Sequence, residues 1–242
     1  MNSALHSITV NCVDLDAAAG FYESVFSTSP AKEEAAVHMD LHGVGRLRLE
    51  SGIVATAAFP RFVVTYILAQ PGEVRTVMAA AERDGAMILK PAKKALFGSF
   101  AGSFRSPDGV IWKVASQSSK DTAPSSPAPK PIETTVILGV SDPKASVPFY
   151  AALGMATDRD YGSKYIDFRP AEGASRLCLM QAPVLAKDVG QRGVASEKQS
   201  VTLIRRALLS EEGAEPARGA SVDVVIDPDG FRWSSLDEQC AR

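Results

Sequence analysis

The sequence predicts an α+β protein in which one βαβββ pattern is written twice, and three observations carry that expectation. SITVNCVDLDAAAGFYESVF near the start returns as TVILGVSDPKASVPFYAALG, so that Asp14 falls against Asp142 and Phe21-Tyr22 against Phe149-Tyr150 with the same spacing. SPDGVIWKV, from Ser106, returns as DPDGFRWSS, from Asp227. Between the copies lies SSKDTAPSSPAPKP, with four prolines among small polar residues and no apolar periodicity, which reads as a semi-extended linker. The expected division is a first module over 1–117, a linker over 118–131 and a second module over 132–242.

Each element has a local reason. A β-rich run, Ser7 to Cys12 or Thr134 to Val140, ends at an aspartate able to cap a helix, and Pro143 suits the first helical position. The helix carries Phe21, Tyr22 and Val25, or Phe149, Tyr150 and Leu153, on one face that packs on a sheet. VHMDLHGVGRLRLES and KYIDFRPAEGASRLCLM read as hairpins. A strand over Arg61 to Leu68 leads to a helix from about Glu73 to Arg83, ended by Gly85. FAGSFRSPDGVIWKVAS is a hairpin around Asp-Gly, where glycine supplies the positive φ of the turn.

Composition excludes several classes. The 242 residues carry 26 Lys plus Arg and 28 Asp plus Glu, a formal net charge of −2, which announces no basic face for nucleic acid. The best apolar stretch, Gly52 to Ala69, is broken by Pro60 and Arg61, so no membrane span is expected. MNSALHSITV lacks the basic start and apolar run of a secretory signal, and a cytoplasmic location is expected. The three cysteines, Cys12, Cys178 and Cys240, form no CxxC pair, so neither a disulfide framework nor a cysteine zinc site is indicated. No GxSxG, phosphate-binding loop or dinucleotide fingerprint is present.

A strand ending in Asp, a helix with Phe-Tyr and a terminal PDGxxW hairpin, all present twice, resemble the glyoxalase, bleomycin-resistance and extradiol-dioxygenase proteins, the vicinal oxygen chelate superfamily. FGSFAGSFRSPDGVIWKV brings the first half closest to the lactoylglutathione-lyase-like members. The resemblance implies paired, strongly curved mixed sheets with helices outside, each module curling around a cavity, and the modules are expected to pair face to face because large uncovered apolar surface would be a liability. Val201 lies much nearer to Gly213 than Val64 does to Gly85, so the second crossover helix is expected to shrink to about one turn.

Enzymes of that superfamily hold a divalent metal on the cavity floor with His and Glu side chains. Applied here, the superfamily's spacings lead to Ser7, Val64 and Lys113 in the first half and to Thr135, Thr202 or its neighbour, and Ser234 in the second. His6 stands one residue off, on the opposite face by strand alternation. A hydroxyl, an alkyl group and an ammonium are poor metal ligands, so no metal and no cofactor are expected. His38, Asp40 and His42 can share one face of a hairpin, but they read as polar rim residues.

A metal-free cavity would be lined by Ser7, Thr9, Asn11, Thr135 and Ser234, with Tyr66, Phe97, Phe100 and Phe104 supplying contact area, Tyr165 and Phe168 as further candidates, and Lys113 meeting an acid or an anionic ligand. Trp112 and Trp233 read as core. The expected function is metal-independent binding of a small molecule, such as antibiotic or metabolite sequestration, with no catalytic residues. The alternatives are a metal-dependent lyase or isomerase, an extradiol-type dioxygenase, and a structural or regulatory module in which the duplication only makes a stable pseudo-dimer. The expected partner is a small-molecule ligand, not nucleic acid or membrane, with module pairing inside a monomer or homodimer.

Overall fold

Nineteen helices and strands are present in the computed structural model, which describes residues 2–53, 58–94, 100–191, 201–208 and 224–235. Strand β1 (Asn2–Cys12) ends before Asp14, whose carboxylate accepts a hydrogen bond from Ala17 N at 2.9 Å and opens α1 (Leu15–Phe26). Three strands follow: β2 (Pro30–Lys32), β3 (Ala36–Asp40) and β4 (Arg46–Ser51). A second pass runs through β5 (Phe62–Leu68), α2 (Pro71–Arg83), β6 (Met87–Lys94), β7 (Phe100–Arg105) and β8 (Ile111–Ser116). The second half opens with β9 (Glu133–Val140) and α3 (Pro143–Ala152), capped by Asp142 through Lys144 N, then β10 (Thr157–Asp160), β11 (Tyr165–Phe168) and β12 (Arg176–Gln181). A short helix, α4 (Ala182–Asp188), precedes β13 (Val201–Leu208), β14 (Val224–Ile226) and β15 (Arg232–Ser235). The βαβββ pattern thus runs twice in the first half. The expected one-turn helix after β13 falls outside the described residues.

Residues 118–131 form no helix or strand, yet they are fastened down. Gln70, the N-cap of α2, accepts hydrogen bonds from Thr122 N and Ala123 N, and Asp121 accepts from Gly72 N and pairs with Arg75.

The strands form two sheets, and each takes strands from both halves. The seven-stranded sheet has the order β14-β15-β13-β1-β4-β3-β2, and the eight-stranded sheet β10-β11-β12-β9-β5-β8-β7-β6. The joins are antiparallel, β1 to β13 and β5 to β9. The halves therefore pair edge to edge, and neither curls a sheet of its own. Hydrogen-bonded edges left open by one half are closed by the other, which face-to-face packing would leave unmet.

The helices α1, α2 and α3 pack on one face of the sheets. Phe26 of α1 stacks on Tyr66 and touches Trp112, while Tyr150 of α3 touches Phe168 and Trp233. Both tryptophans are fully buried. The repeated landmarks meet here. Tyr22 donates to Asp108 Oδ2 at 2.6 Å, and Tyr150 donates to Asp227 Oδ2 at 2.6 Å. Asp227 stands where the first copy has Ser106, so the partner acid has moved by two positions between the copies. Burial pushes both phenols far up and also raises the Asp108 and Asp227 carboxyls. Gly109 and Gly230, at φ +88° and +87°, make the two Asp-Gly turns. Among the described residues, no helix is long and apolar enough to cross a membrane.

Candidate functional site

Strand alternation assigns every sheet residue to the helix-covered face or to the face opposite it, here called the cup of that sheet. On the seven-stranded sheet, Ile8, Val10, Leu47, Leu49 and Leu203 face the helices and are buried. Ser7, Thr9 and Asn11 occupy the other face. Register adds neighbours on that face: Thr9 lies opposite Arg48 and Thr202, Thr202 opposite Arg232, and Ser7 opposite Ile204, which lies opposite Ser234. This first cup therefore has hydroxyl and amide groups with Ile204 on its floor, flanked by Arg232 of β15 on one side and by Arg48, Glu50 and His38 of β4 and β3 on the other.

Its ionic contacts are local. Arg48 Nε lies 2.8 Å from Glu50 Oε1, and His38 Nε2 lies 3.1 Å from Glu33 Oε2. At the end of the cup a β-bulge interrupts β1 between Leu5 and Ser7, so strict alternation does not govern His6. Burial, with Arg46 and Arg206 adding their charges, lowers the His6 imidazole to about 4. His42 turns away to Phe26 O, and Asp40 accepts from Gly43 N, so the hairpin histidines do not converge with Asp40. Among the described residues no group of three His, Cys, Asp or Glu could hold a metal.

The second cup, on the eight-stranded sheet, is filled. Leu185 of α4 and the following Val189, both fully buried, pack on Val63, Ile111, Ile137 and Cys178. Asp188 Oδ2 lies 2.6 Å from Lys113 Nζ, Lys90 Nζ donates to Asp188 O, and Ser103 Oγ donates to Val189 O. Gly190 closes the segment at φ +79°, where a Cβ would stand 2.9 Å from Leu89 O, so only glycine fits without displacement. Beside α4, Asp167 is fully buried and 2.8 Å from Arg159 Nε, and the single hydroxyl proton of Tyr165 is shared between Asp167 Oδ2 at 3.3 Å and Cys178 Sγ at 2.9 Å. Burial raises the Cys178 thiol to about 12.

The sequence-derived candidates separate by place. Ser7, Thr9, Asn11 and Ser234 share the first cup; Thr135 and Lys113 share the second, with Tyr165 at its edge. Tyr66, Phe104 and Phe168 lie in the helix-side core, and Phe100, opposite Ser116, packs beneath Arg75 of α2 at 5.3 Å. Phe97 lies outside the described residues. Val64 also faces the helix-side core, opposite Trp112, and Thr65 is the residue that reaches the cup floor, opposite Lys113 and Thr135. FVVTYIL carries too many apolar residues to betray its parity. The Trp112–Lys113 alternation fixes the parity of β8, and the register between the strands carries it to β5. Arg48, Arg232 and α4 were missed: an isolated arginine in a strand has no signature, and α4 has only seven residues.

Solved structures with this arrangement exist. Glyoxalase I from Zea mays superposes with a TM-score of 0.62 at 19% identity, covering 98% of this chain and 93% of that one. A Bacillus subtilis protein provisionally described as a dioxygenase gives a TM-score of 0.61 at 14% identity, covering 96% and 84%. This chain has the vicinal oxygen chelate fold. No protein-family model matches the sequence, and no curated protein matches it.

The metal that this fold holds in its enzymes does not suit the floors found here. The first cup offers hydroxyls beside Arg48, with Glu50 and His38 on the same face but engaged by Arg48 and Glu33, and the second offers Thr65, Thr135 and an ammonium already paired with a carboxylate. Neither set brings together, among the described residues, three anionic or imidazole donors to offset dehydration of a divalent ion, and each adds a repelling cation.

Proposed function

We propose that this chain is a metal-independent small-molecule-binding protein of the vicinal oxygen chelate superfamily, with its ligand in the first cup. One observation carries the reading: Ser7, Thr9, Asn11, Thr202 and Ser234 converge on one face of the seven-stranded sheet, while the equivalent face of the other sheet is taken up by α4. Hydroxyl and amide groups on this face can orient a small ligand by hydrogen bonds, and the acid and imidazole beside them, Glu50 and His38, are already engaged by Arg48 and Glu33. A cytoplasmic location belongs to the same proposal, supported by Cys12 and Cys178 as buried free thiols.

The test is a thermal-shift screen of small metabolites and antibiotics on the purified chain, with elemental analysis alongside. A ligand at 100 times its dissociation constant stabilises by about 2.7 kcal/mol. That stabilisation is expected to fall in Thr202→Val and to survive in Tyr66→Phe, whose hydroxyl lies in the core. One tightly bound transition metal per chain, with glyoxalase or dioxygenase turnover, would replace this reading with an enzymatic one.

A further inference from the structure

We infer that the first cup takes an organic anion, a carboxylate carried on an apolar body, with Arg232 as its principal counter-charge; this rests on the first cup being the ligand site. Both cups contain the same row. Across the four central strands of the seven-stranded sheet the register gives Arg48, Thr9, Thr202 and Arg232. Across those of the eight-stranded sheet it gives Arg176, Thr135, Thr65 and Lys113. Each is a pair of hydroxyls with a cation at either end.

In the second cup the chain itself shows what such a row accepts. The Asp188 carboxylate meets Lys113 at 2.6 Å, and its neighbours Leu185 and Val189 cover the apolar floor. At the far end of that row, Arg176 is met by Glu133 and Asp158, each at 2.7 Å. Every cation of the second row has its acid.

The first row is satisfied at one end only. Arg48 is paired with Glu50, whereas Arg232 is exposed and forms no ion pair with a described residue. Beside it on the same face stand Ile226, opposite Arg232, and Val224, opposite Ser234, with 56% and 43% of their surfaces exposed. A guanidinium flanked by uncovered aliphatic side chains matches a carboxylate with a hydrocarbon body, the chemistry that α4 supplies in the other cup. Arg46 and Arg206, near His6, add positive potential at the end of the same strands.

The experiment titrates the full chain with hexanoate and benzoate, and with hexanamide and benzamide as neutral counterparts, following backbone amide resonances. The acids should bind and perturb Thr9, Thr202 and Arg232, and their amides should bind at least about tenfold more weakly. Arg232→Gln should erase that preference, while Lys113→Met should leave it intact. Acids and amides perturbing the cup equally would overturn the anionic class and leave the site standing. Acid binding unaffected by Arg232→Gln, or no binding of either acid, would also overturn the inference. Binding that perturbs only residues away from β1 and β13 would remove the site itself.

Discussion

At the scale of single residues, His6 links the stability of the fold to pH. Its imidazole is held at about 4, well below the ordinary value of 6.5, first by burial and then by Arg46 and Arg206. The unfolded chain therefore takes up a proton more readily than the folded one between those values. This contribution to stability is fully present above pH 6.5 and is lost as pH falls through 4. The Asp108 and Asp227 carboxyls, raised by burial, act in the opposite direction, favouring the fold as pH falls through their raised values. They are common to the wild type and a His6 variant, so the difference between the two isolates His6. Urea midpoints measured at pH 7 and pH 5 should drop more in the wild type than in His6→Gln. Equal drops would mean that the bulge leaves His6 free to titrate. The sequence offered the right residue for the wrong reason: His6 attracts notice through its offset from Ser7, and alternation alone cannot reveal a bulge.

Among the elements, α4 departs furthest from what the sequence announces. APVLAKD carries a proline suited to a helix start and one leucine that must be buried, but seven residues are too few to show a periodicity. Its place in the second cup makes it structural. Leu185→Ala should cost about 2–5 kcal/mol in a chemical denaturation experiment, as for other large-to-small changes in a filled core. A change within about 0.5 kcal/mol would mean that α4 rests loosely on the sheet. The long elements were far more legible. Asp14 and Asp142 cap α1 and α3 as their positions suggest, and the Asp-Gly turns fall where glycine is needed. Facing is harder to read than presence: Val64 and Thr65 differ by one residue, and only the pairing of Thr65 with Lys113 and Thr135 shows which meets the cup.

For the whole molecule, the duplication was visible but the partnership between the halves was not. Repeats in a sequence reveal like units, whereas strand order depends on edges that meet across the chain. Both central joins, β1 with β13 and β5 with β9, cross from one half to the other. Residues 1–117 alone would leave β1 and β5 each with an open edge. That fragment should run as a dimer or larger species in gel filtration, its two copies supplying each other's missing strands. A stable monomer would show that the open edges are tolerated. The same joins set a timetable during synthesis. Val10 pairs with Val201, so β1 leaves the ribosome about 190 residues ahead of its neighbour, a wait of roughly 10–40 s at translation rates of about 5–20 residues per second. The eight-stranded sheet can close first, since β5 and β9 are separated mainly by their own module and the linker. The seven-stranded sheet, which holds the proposed ligand cup, is then the last part of the protein to assemble and the part for which a nascent chain most needs protection.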